Sequence, residues 1–340
     1  MCLLINITDR VKTLAEHSLN NSGQNLMLTA TSLFTGCGGS DFGLHDAGVV
    51  VNFANDVLPY ARDVYLENLP ETDYQLSDIS LINSFPKSDI LVGCYPCQGF
   101  SQGGARQANR KVNYLYREFV RALKQIKPKA FIVENVSGMQ RSDFAHLLKA
   151  QITQFRFCGY SVSWKIMNSA EYGTPQERKR ILIVGLRSDI GEKFEFPTAT
   201  HGKSGETPFI TIKDAIGDLP DWPTGEYWTE PFHWYYLSRN RRRDWGEVSK
   251  TIVSHPRHMP LHPISPTLTR VHTDKWIWSE DRPARRFSYR EASRLQGFPI
   301  HMSFPETESA SLREKYRVIG NAVPPQLFSV ICKKIKAYLN

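Results

Sequence analysis

The sequence predicts an α/β protein built on a parallel sheet covered by helices on both faces, and three observations carry that prediction. Short, continuously apolar runs recur between Leu28 and Arg187, stretches with apolar residues at helical spacing separate them, and glycines or short polar pairs end them. Strands buried on both faces read as unbroken Val/Ile/Leu runs rather than as alternation, which is the pattern here.

Taken in order, LTATSLFTG reads as a strand entering a glycine turn, with GLHDAG as the helix beyond it. VVVNFAND is a second strand, PYARDVYLENL a helix and SDILVGC another strand. NYLYREFVRALKQIK is helical, KAFIVEN a strand, FAHLLKAQITQFRFCGY a helix and RILIVGLR a strand. The residues before Leu28 are polar and patternless after an apolar opening, and read as an extension with a short helix. From 188 to about 284 the chain is rich in Pro, His, Trp and Arg, with no sustained period of 2 or 3.6. Order returns in SYREASRLQGF, where Ser288 and Glu291 have capping-box spacing, and a last helix runs from about Pro325 to Leu339. The predicted domains are therefore an extension (1–27), a first domain (28–187), a second, irregular one (188–300) and a C-terminal segment (301–340).

A chain of 340 residues, 41% hydrophobic and 22% charged, has the composition of a water-soluble globular protein. No window approaches the length of apolar residues that spans a bilayer, and no basic stretch precedes the apolar start, so neither a membrane span nor a signal peptide is expected. The net charge of +8 favours a polyanionic partner without naming one. Six scattered cysteines (Cys2, Cys37, Cys94, Cys97, Cys158 and Cys332) form no disulfide framework, and reduced thiols in the cytoplasm are the expectation. Cys94-x-x-Cys97 lacks the second pair of ligands a structural zinc site needs, so no metal is expected. As a redox pair it would sit at a helix start, whereas Pro96 and the glycines after it break a helix.

The ends of the predicted strands gather chemistry on one edge of the sheet, where open α/β folds bind ligands. Gly36, Gly38 and Gly39 let the backbone approach a ligand after the first strand, and Asp56 ends the second, placed to accept from ribose hydroxyls. Asp78 lies on the same edge; caps and turns explain both acids equally well. Cys97 and Glu134 each follow an apolar strand, where a carboxylate is partly desolvated and suited to giving a proton or a hydrogen bond. In Gln176-x-Arg178-x-Arg180, period-2 spacing puts both arginines on one face. A thiol, an acid and paired arginines on one rim point to nucleophilic catalysis on an electron-poor ring.

The ordered set LFTGCGG, ANDV, SDIS, GCYPCQGFS, VENVSGM, TPQERKR, REASRLQGFP and IGNAVPP resembles the DNA (cytosine-5) methyltransferases of the restriction–modification type. These motifs cover the chain from about Ser32 to Gln326, apart from 188–284. The resemblance implies a Rossmann-like S-adenosylmethionine-dependent methyltransferase domain with a mixed, mostly parallel sheet, plus a smaller, irregular target-recognition domain. By position it makes Cys97 the nucleophile that adds to C6 of a cytosine, Glu134 the partner of N3 and the exocyclic amine, and Arg180 with Arg178 the holders of the base oxygen and the catalytic loop. S-Adenosylmethionine would be held by Phe34, Gly36, Gly38, Asp56, Val57, Asp78, Ile79, Pro96, Asn321 and Val323.

Because C6 of a stacked, paired cytosine is out of reach, the base must be flipped. The loop QGFSQGGARQANRKVN, with Gln98, Ser101, Arg106, Arg110 and Lys111, combines glycines for motion with cations for phosphates, as a lid over a flipped base requires. Residues 188–284 fall where the family keeps its target recognition; Arg270 is a candidate DNA contact there, and RNRRRDW reads as gripping phosphates rather than reading bases, with a solvated charge run as the alternative. Three positions depart from the family pattern: Tyr95 stands where proline is commoner, Asp56 where glutamate is, and Leu58 where an acid is frequent. The expected partners are double-stranded DNA and a cognate restriction endonuclease acting separately, with the enzyme a cytoplasmic monomer of prokaryotic or phage-encoded origin. Two other readings share these residues: a tRNA cytosine-5 methyltransferase and a catalytically silent nucleic-acid-binding protein.

Overall fold

The computed structural model describes residues 27–96, 115–140 and 145–339. Seven strands form one sheet: β1 (Thr29–Leu33), β2 (Val50–Asp56), β3 (Asp73–Leu76), β4 (Ile90–Gly93), β5 (Ala130–Val136), β6 (Tyr160–Asn168) and β7 (Lys179–Arg187). Their order is β3-β2-β1-β4-β5-β7-β6, with β7 antiparallel to both of its neighbours and the other pairings parallel. The apolar runs predict β1, β2, β4, β5 and β7. They do not mark β3 or β6, which lie at the two edges, nor the reversal of β7.

Side chains alternate across the central strands into two cores. Leu33, Leu91, Phe131, Val133, Ile181 and Ile183 face one side, under α3 (Tyr116–Ile126) and α4 (Ala145–Phe157). Ala30, Val51, Ile90, Val92, Ile132, Leu182 and Val184 face the other, under α1 (Gly39–Asp46) and α8 (Pro325–Leu339). Period 2 within an unbroken apolar run gives each helical layer its own complete surface, and the sheet is hidden from water on both sides. The C-terminal helix thus packs on this sheet. It packs so closely on α1 that a Cβ on Gly43 would lie 2.3 Å from the Pro325 carbonyl oxygen.

A third core joins Cys37 and α2 (Pro59–Asn68) to α5 (Ile212–Ile216), α6 (Tyr289–Leu295) and α7 (Leu312–Asn321) through Tyr60, Val64, Ile212, Phe287, Leu295 and Tyr316. The capping box at Ser288 is formed: its hydroxyl accepts from the Glu291 amide at 3.2 Å, and Glu291 returns the bond to the Ser288 amide at 2.7 Å. Within 188–284 the structure adds a two-stranded antiparallel ribbon, β8 (Leu268–His272) and β9 (Lys275–Trp278), whose Leu268, Trp276 and Trp278 rest on Phe232, Tyr236 and Leu261.

The arginine-rich tracts here are largely internal ties. Arg242 donates to the carbonyls of Ser265 and Pro263 at 3.0 and 2.8 Å, Arg243 pairs with Glu247 and Glu177, and Arg241 lies over the Tyr236 ring. Those three side chains of RNRRRDW therefore differ from the phosphate grips expected of them. Arg285 is fully buried and makes a two-pronged pair with Glu291 at 2.7 and 2.8 Å. His262, which faces the same carboxylate at 3.4 Å, is pushed down to about 3 by burial and by Arg285 and Arg242, so it stays neutral. Removing one partner of a buried pair strands the other's charge. Glu291→Gln is therefore expected to cost about 3–5 kcal/mol of stability, measured as a lower urea midpoint; an unchanged midpoint would show that Arg285 finds other compensation.

Candidate active site

The chain runs outward from β1 to β2 and β3, then returns to β4 on the other side of β1. In doubly wound sheets such a reversal marks the carboxyl ends of the strands that flank it, here β1 and β4, as the edge where ligands bind. Phe34 and Gly36 follow β1, and Cys94, Tyr95 and Pro96 follow β4, so both loops converge there.

On the cofactor side, Phe34 takes a left-handed conformation (φ 58°), unusual for a bulky residue, and sets its half-buried ring edge-on to Tyr95 at 6.0 Å between centroids. Gly36 (φ 58°) has open space where a Cβ would be, so a ligand can approach its backbone, and Gly38 (φ 90°) closes the turn over Tyr65. A Cβ on Gly39 would lie 2.3 Å from the Val323 carbonyl oxygen, which shows how tightly the late GNAVPP segment returns to this turn. Val323 is buried there, and Asn321, at the end of α7, is exposed.

The Asp56 carboxylate accepts from the Gly36 amide at 2.8 Å and from the Val57 and Leu58 amides at 2.7 and 3.0 Å. Burial lifts its pKa despite those bonds. Val57 projects from the rim, 60% exposed. Asp78 is exposed and accepts from the amide and hydroxyl of Ser80 at 2.9 and 2.7 Å, which holds its pKa below the usual carboxylate range; Ile79 beside it is buried. Both acids are thus caps as well as members of the rim. An aromatic face, a bare stretch of backbone and a rim carboxylate fit an adenosine-bearing ligand.

Farther along the sheet, between β5 and β7, Arg180 Nε donates to Glu134 Oε1 at 2.8 Å, with both side chains largely buried. The register explains the pair. Glu134 lies opposite Leu182 in the antiparallel β5–β7 ladder, and Arg180, two residues from Leu182, is its diagonal neighbour on the same face. A parallel β7 would send Arg180 to the far end. Burial pushes the Glu134 carboxyl above the usual glutamate range, although the charges of Arg180 and Arg178 pull it down. Arg178 points elsewhere: Nη1 donates to the Ile252 carbonyl at 2.9 Å, and Nη2 to those of Gly320 and Ala322 at 3.0 Å. It ties the β7 entry to the irregular region and to the C-terminal segment, while Arg180 alone of the two bonds Glu134.

Pro96 is the last described residue of its loop. Cys97, Gln98, Ser101, Arg106, Arg110 and Lys111 lie outside the described residues. Arg270, exposed on β8, makes one weak bond to the His272 carbonyl at 3.4 Å, well away from Glu134 in the fold order. Among the described residues no cluster of metal-binding side chains occurs and no helix is long and apolar enough to cross a membrane.

Sequence reasoning passed over several supports of this site. Tyr95 donates its phenol to Gln151 Oε1 at 2.7 Å in the core, and its carbonyl accepts from Asn135 Nδ2 at 3.3 Å. Gln176, fully buried, donates to Gln296 Oε1 at 2.6 Å and the Leu295 carbonyl at 3.1 Å, and accepts from the Ile252 amide at 2.8 Å. The buried Asp41, in the first turn of α1, gathers four hydroxyls around one carboxylate.

Comparison with known proteins agrees with this architecture. The family model of the C-5 cytosine-specific DNA methylases matches residues 28–337. The chain is 34% identical to the Type II methyltransferase M.BsuRI of Bacillus subtilis over 345 residues, covering 91% of this chain and 79% of the relative. It is 35% identical to the Type II methyltransferase M.MthTI of Methanothermobacter thermautotrophicus over 334 residues, covering 90% and 96%. Among solved structures, a DNA modification methyltransferase encoded within an E. coli prophage superposes with a TM-score of 0.69 at 21% identity, covering 92% of this chain and 99% of that one. The Entamoeba histolytica methyltransferase EhMeth superposes at 0.68 and 15% identity with the same coverage. The match over nearly the whole chain shows that it belongs to the C-5 cytosine-specific DNA methylases and is a DNA (cytosine-5) methyltransferase.

Proposed function

We propose that the chain methylates C5 of a cytosine flipped out of duplex DNA within one short target sequence, with Cys97 as nucleophile and the Glu134–Arg180 pair holding the base. The observation that carries this reading is the largely buried 2.8 Å ion pair across β5 and β7, on the sheet whose strand β4 runs into Pro96, the residue before Cys97 in the sequence. The Cys97 thiolate forms a bond to C6, and the electron pair displaced from the C5–C6 double bond makes C5 nucleophilic. Glu134 meets N3 and the exocyclic amine, and Arg180 the carbonyl oxygen of the base, where charge develops during attack. Arg178 holds the strand on which Arg180 sits. S-Adenosyl-L-methionine, when bound, supplies an electrophilic methyl group on a positively charged sulfur. Loss of the C5 proton and departure of Cys97 then restore the aromatic ring.

Phe34, Gly36, Gly38, Asp56, Val57, Asp78, Ile79 and Pro96 line or border the crevice side suited to the adenosine part, and Asn321 and Val323 its methionine end. Gln98, Ser101, Arg106, Arg110 and Lys111 follow Cys97 in sequence and serve the DNA strand around the flipped base; Arg270 serves the recognition region. The domain boundaries at 27, 187 and 300 belong to the same reading. So do a monomeric state, a cytoplasmic location and a restriction endonuclease acting separately on the same target.

The direct test is base-resolution methylation sequencing of DNA from a methylation-free bacterial host expressing the chain. 5-Methylcytosine confined to one short motif is the expected result and gives the specificity at once. Soluble protein with no new methylation would overturn the reading in favour of RNA modification or silent binding.

A further inference from the structure

Phe34 stands in a left-handed conformation that bulky side chains avoid, and such a residue persists only where its surroundings over-determine it. The device that does so here is one buried carboxylate. Asp41 Oδ1 accepts from Ser32 Oγ at 2.6 Å and Ser40 Oγ at 2.8 Å; Oδ2 accepts from Thr35 Oγ1 at 2.6 Å and Tyr65 Oη at 2.9 Å. Ser32 and Thr35 bracket Phe34, so a single carboxylate holds side-chain hydroxyls on both sides of the strained residue.

Each oxygen takes two donors, which fills the acceptor capacity of a carboxylate, and none of the four partners is a cation. The grip has a fixed base. Asp41 lies on α1, whose Gly39 and Gly43 leave no room for a Cβ beside the carbonyls of Val323 and Pro325. The Tyr65 hydroxyl also lies 3.3 Å from that of Thr72, which donates to the Val51 carbonyl at 3.1 Å. From the opposite side Asp56 takes the Gly36 amide, so the turn between Ser32 and Gly36 is fastened twice. What remains free is the ring of Phe34, resting edge-on against Tyr95.

Resting on the reading that Phe34 packs against the adenine of S-adenosylmethionine, we propose that Asp41 is a positioning residue that sets cofactor affinity by clamping Phe34 in its left-handed conformation. A carboxylate serving only the core would stabilise the fold without changing how tightly the folded protein holds an adenosine ligand. The clamp acts on the ligand through the turn that carries Phe34 and Gly36. Its loss is therefore felt at the adenine end of the cofactor and leaves the DNA side untouched.

The test is calorimetric titration of the full chain with S-adenosylhomocysteine and, separately, with 5′-methylthioadenosine, which keeps the adenosine and lacks the amino-acid end. Asp41→Asn keeps the shape but replaces one acceptor oxygen by a donor. It is expected to weaken both ligands by the same factor, about tenfold, well below its unfolding temperature, with the KM for duplex DNA within twofold of the parent. Thr35→Val removes a single donor and is expected to weaken both by about threefold to fivefold. Unchanged Kd values in folded Asp41→Asn, or a loss confined to S-adenosylhomocysteine, would overturn the proposal. If Asp41→Asn does not fold, Thr35→Val decides it alone, and an unchanged Kd there has the same meaning. Failure of the parent chain to bind either ligand would instead sink the reading of the cofactor site.

Discussion

Cys97→Ser is expected to abolish methyl transfer, with activity at least about a thousandfold below the parent, while Cys94→Ser retains most of it. A serine hydroxyl at Cys97 would lack both the acidity and the intrinsic reactivity of a thiol toward an electron-poor ring carbon. Cys94 is only three residues away, yet its surroundings suit it to the opposite state. Burial raises its pKa well above the ordinary thiol value, and the negative charges of Glu134 and Asp41 push in the same direction. A thiolate there would face like charge in a site with little water, so Cys94 is held as a thiol. A redox-active C-x-x-C pair needs both sulfurs and predicts equal damage from either substitution. Methylation of duplex DNA by the two variants separates these cases, and trapping on DNA carrying 5-fluorocytosine adds a second reading. The parent and Cys94→Ser should form the covalent adduct, and Cys97→Ser should not. Equal loss of methylation in the two variants would remove Cys97 from its assigned role.

The fold was legible wherever burial on both faces had written an unbroken apolar run. β1, β2, β4, β5 and β7 carry such runs, and Ser288 with Glu291 announces α6 by its cap. β3 (DYQL) and β6 (YSVSWKIMN) are edge strands, half exposed and mixed in composition, so nothing in their spacing distinguishes them from loops. The direction of β7 is invisible to periodicity, because an apolar strand buried on both faces reads the same either way. It mattered most: only the antiparallel register makes Arg180 the diagonal neighbour of Glu134.

An apolar run marks where a strand stops, so the positions of Phe34, Asp56 and Glu134 at or near strand ends follow from the sequence. Side chains that hold those residues answer to partners far along the chain. Gln176 meets Leu295 and Gln296, Arg178 meets Ile252 and Gly320, and Tyr95 meets Gln151, contacts that no local pattern encodes. Arg285 was hidden for a related reason. In a basic tract an arginine reads as solvated, and only the returning α6 supplies the carboxylate that lets it be buried. Period 2 places Arg178 and Arg180 alike, yet Arg178 stands one residue before β7, where the chain has left the ladder and its guanidinium turns to other segments.

Glu134→Gln is expected to lower kcat by about 100- to 1,000-fold while changing DNA affinity little. The carboxyl of Glu134 is lifted above the usual glutamate range chiefly by burial, with Arg180 and Arg178 restraining the rise. At mildly acidic pH a larger share of it is therefore protonated than of an exposed glutamate, and a protonated carboxyl can give a hydrogen bond to N3 as charge builds there. As pH rises through the lifted pKa, that proton is lost, so Glu134 should contribute the alkaline limb of the kcat profile. The stability it contributes has the same sign: present below the unfolded pKa, where the group is neutral in both states, and lost as pH rises through the folded pKa. Glutamine keeps the shape but does not titrate, and it leaves Arg180, largely buried, without its counter-charge. The variant should therefore lose both the rate and this limb of the profile. Measuring kcat against pH for parent and variant tests the two losses together. A variant within tenfold of the parent, or one that keeps the same alkaline limb, would show that the proton at N3 comes from elsewhere and that the Glu134–Arg180 pair serves only to hold β5 against β7.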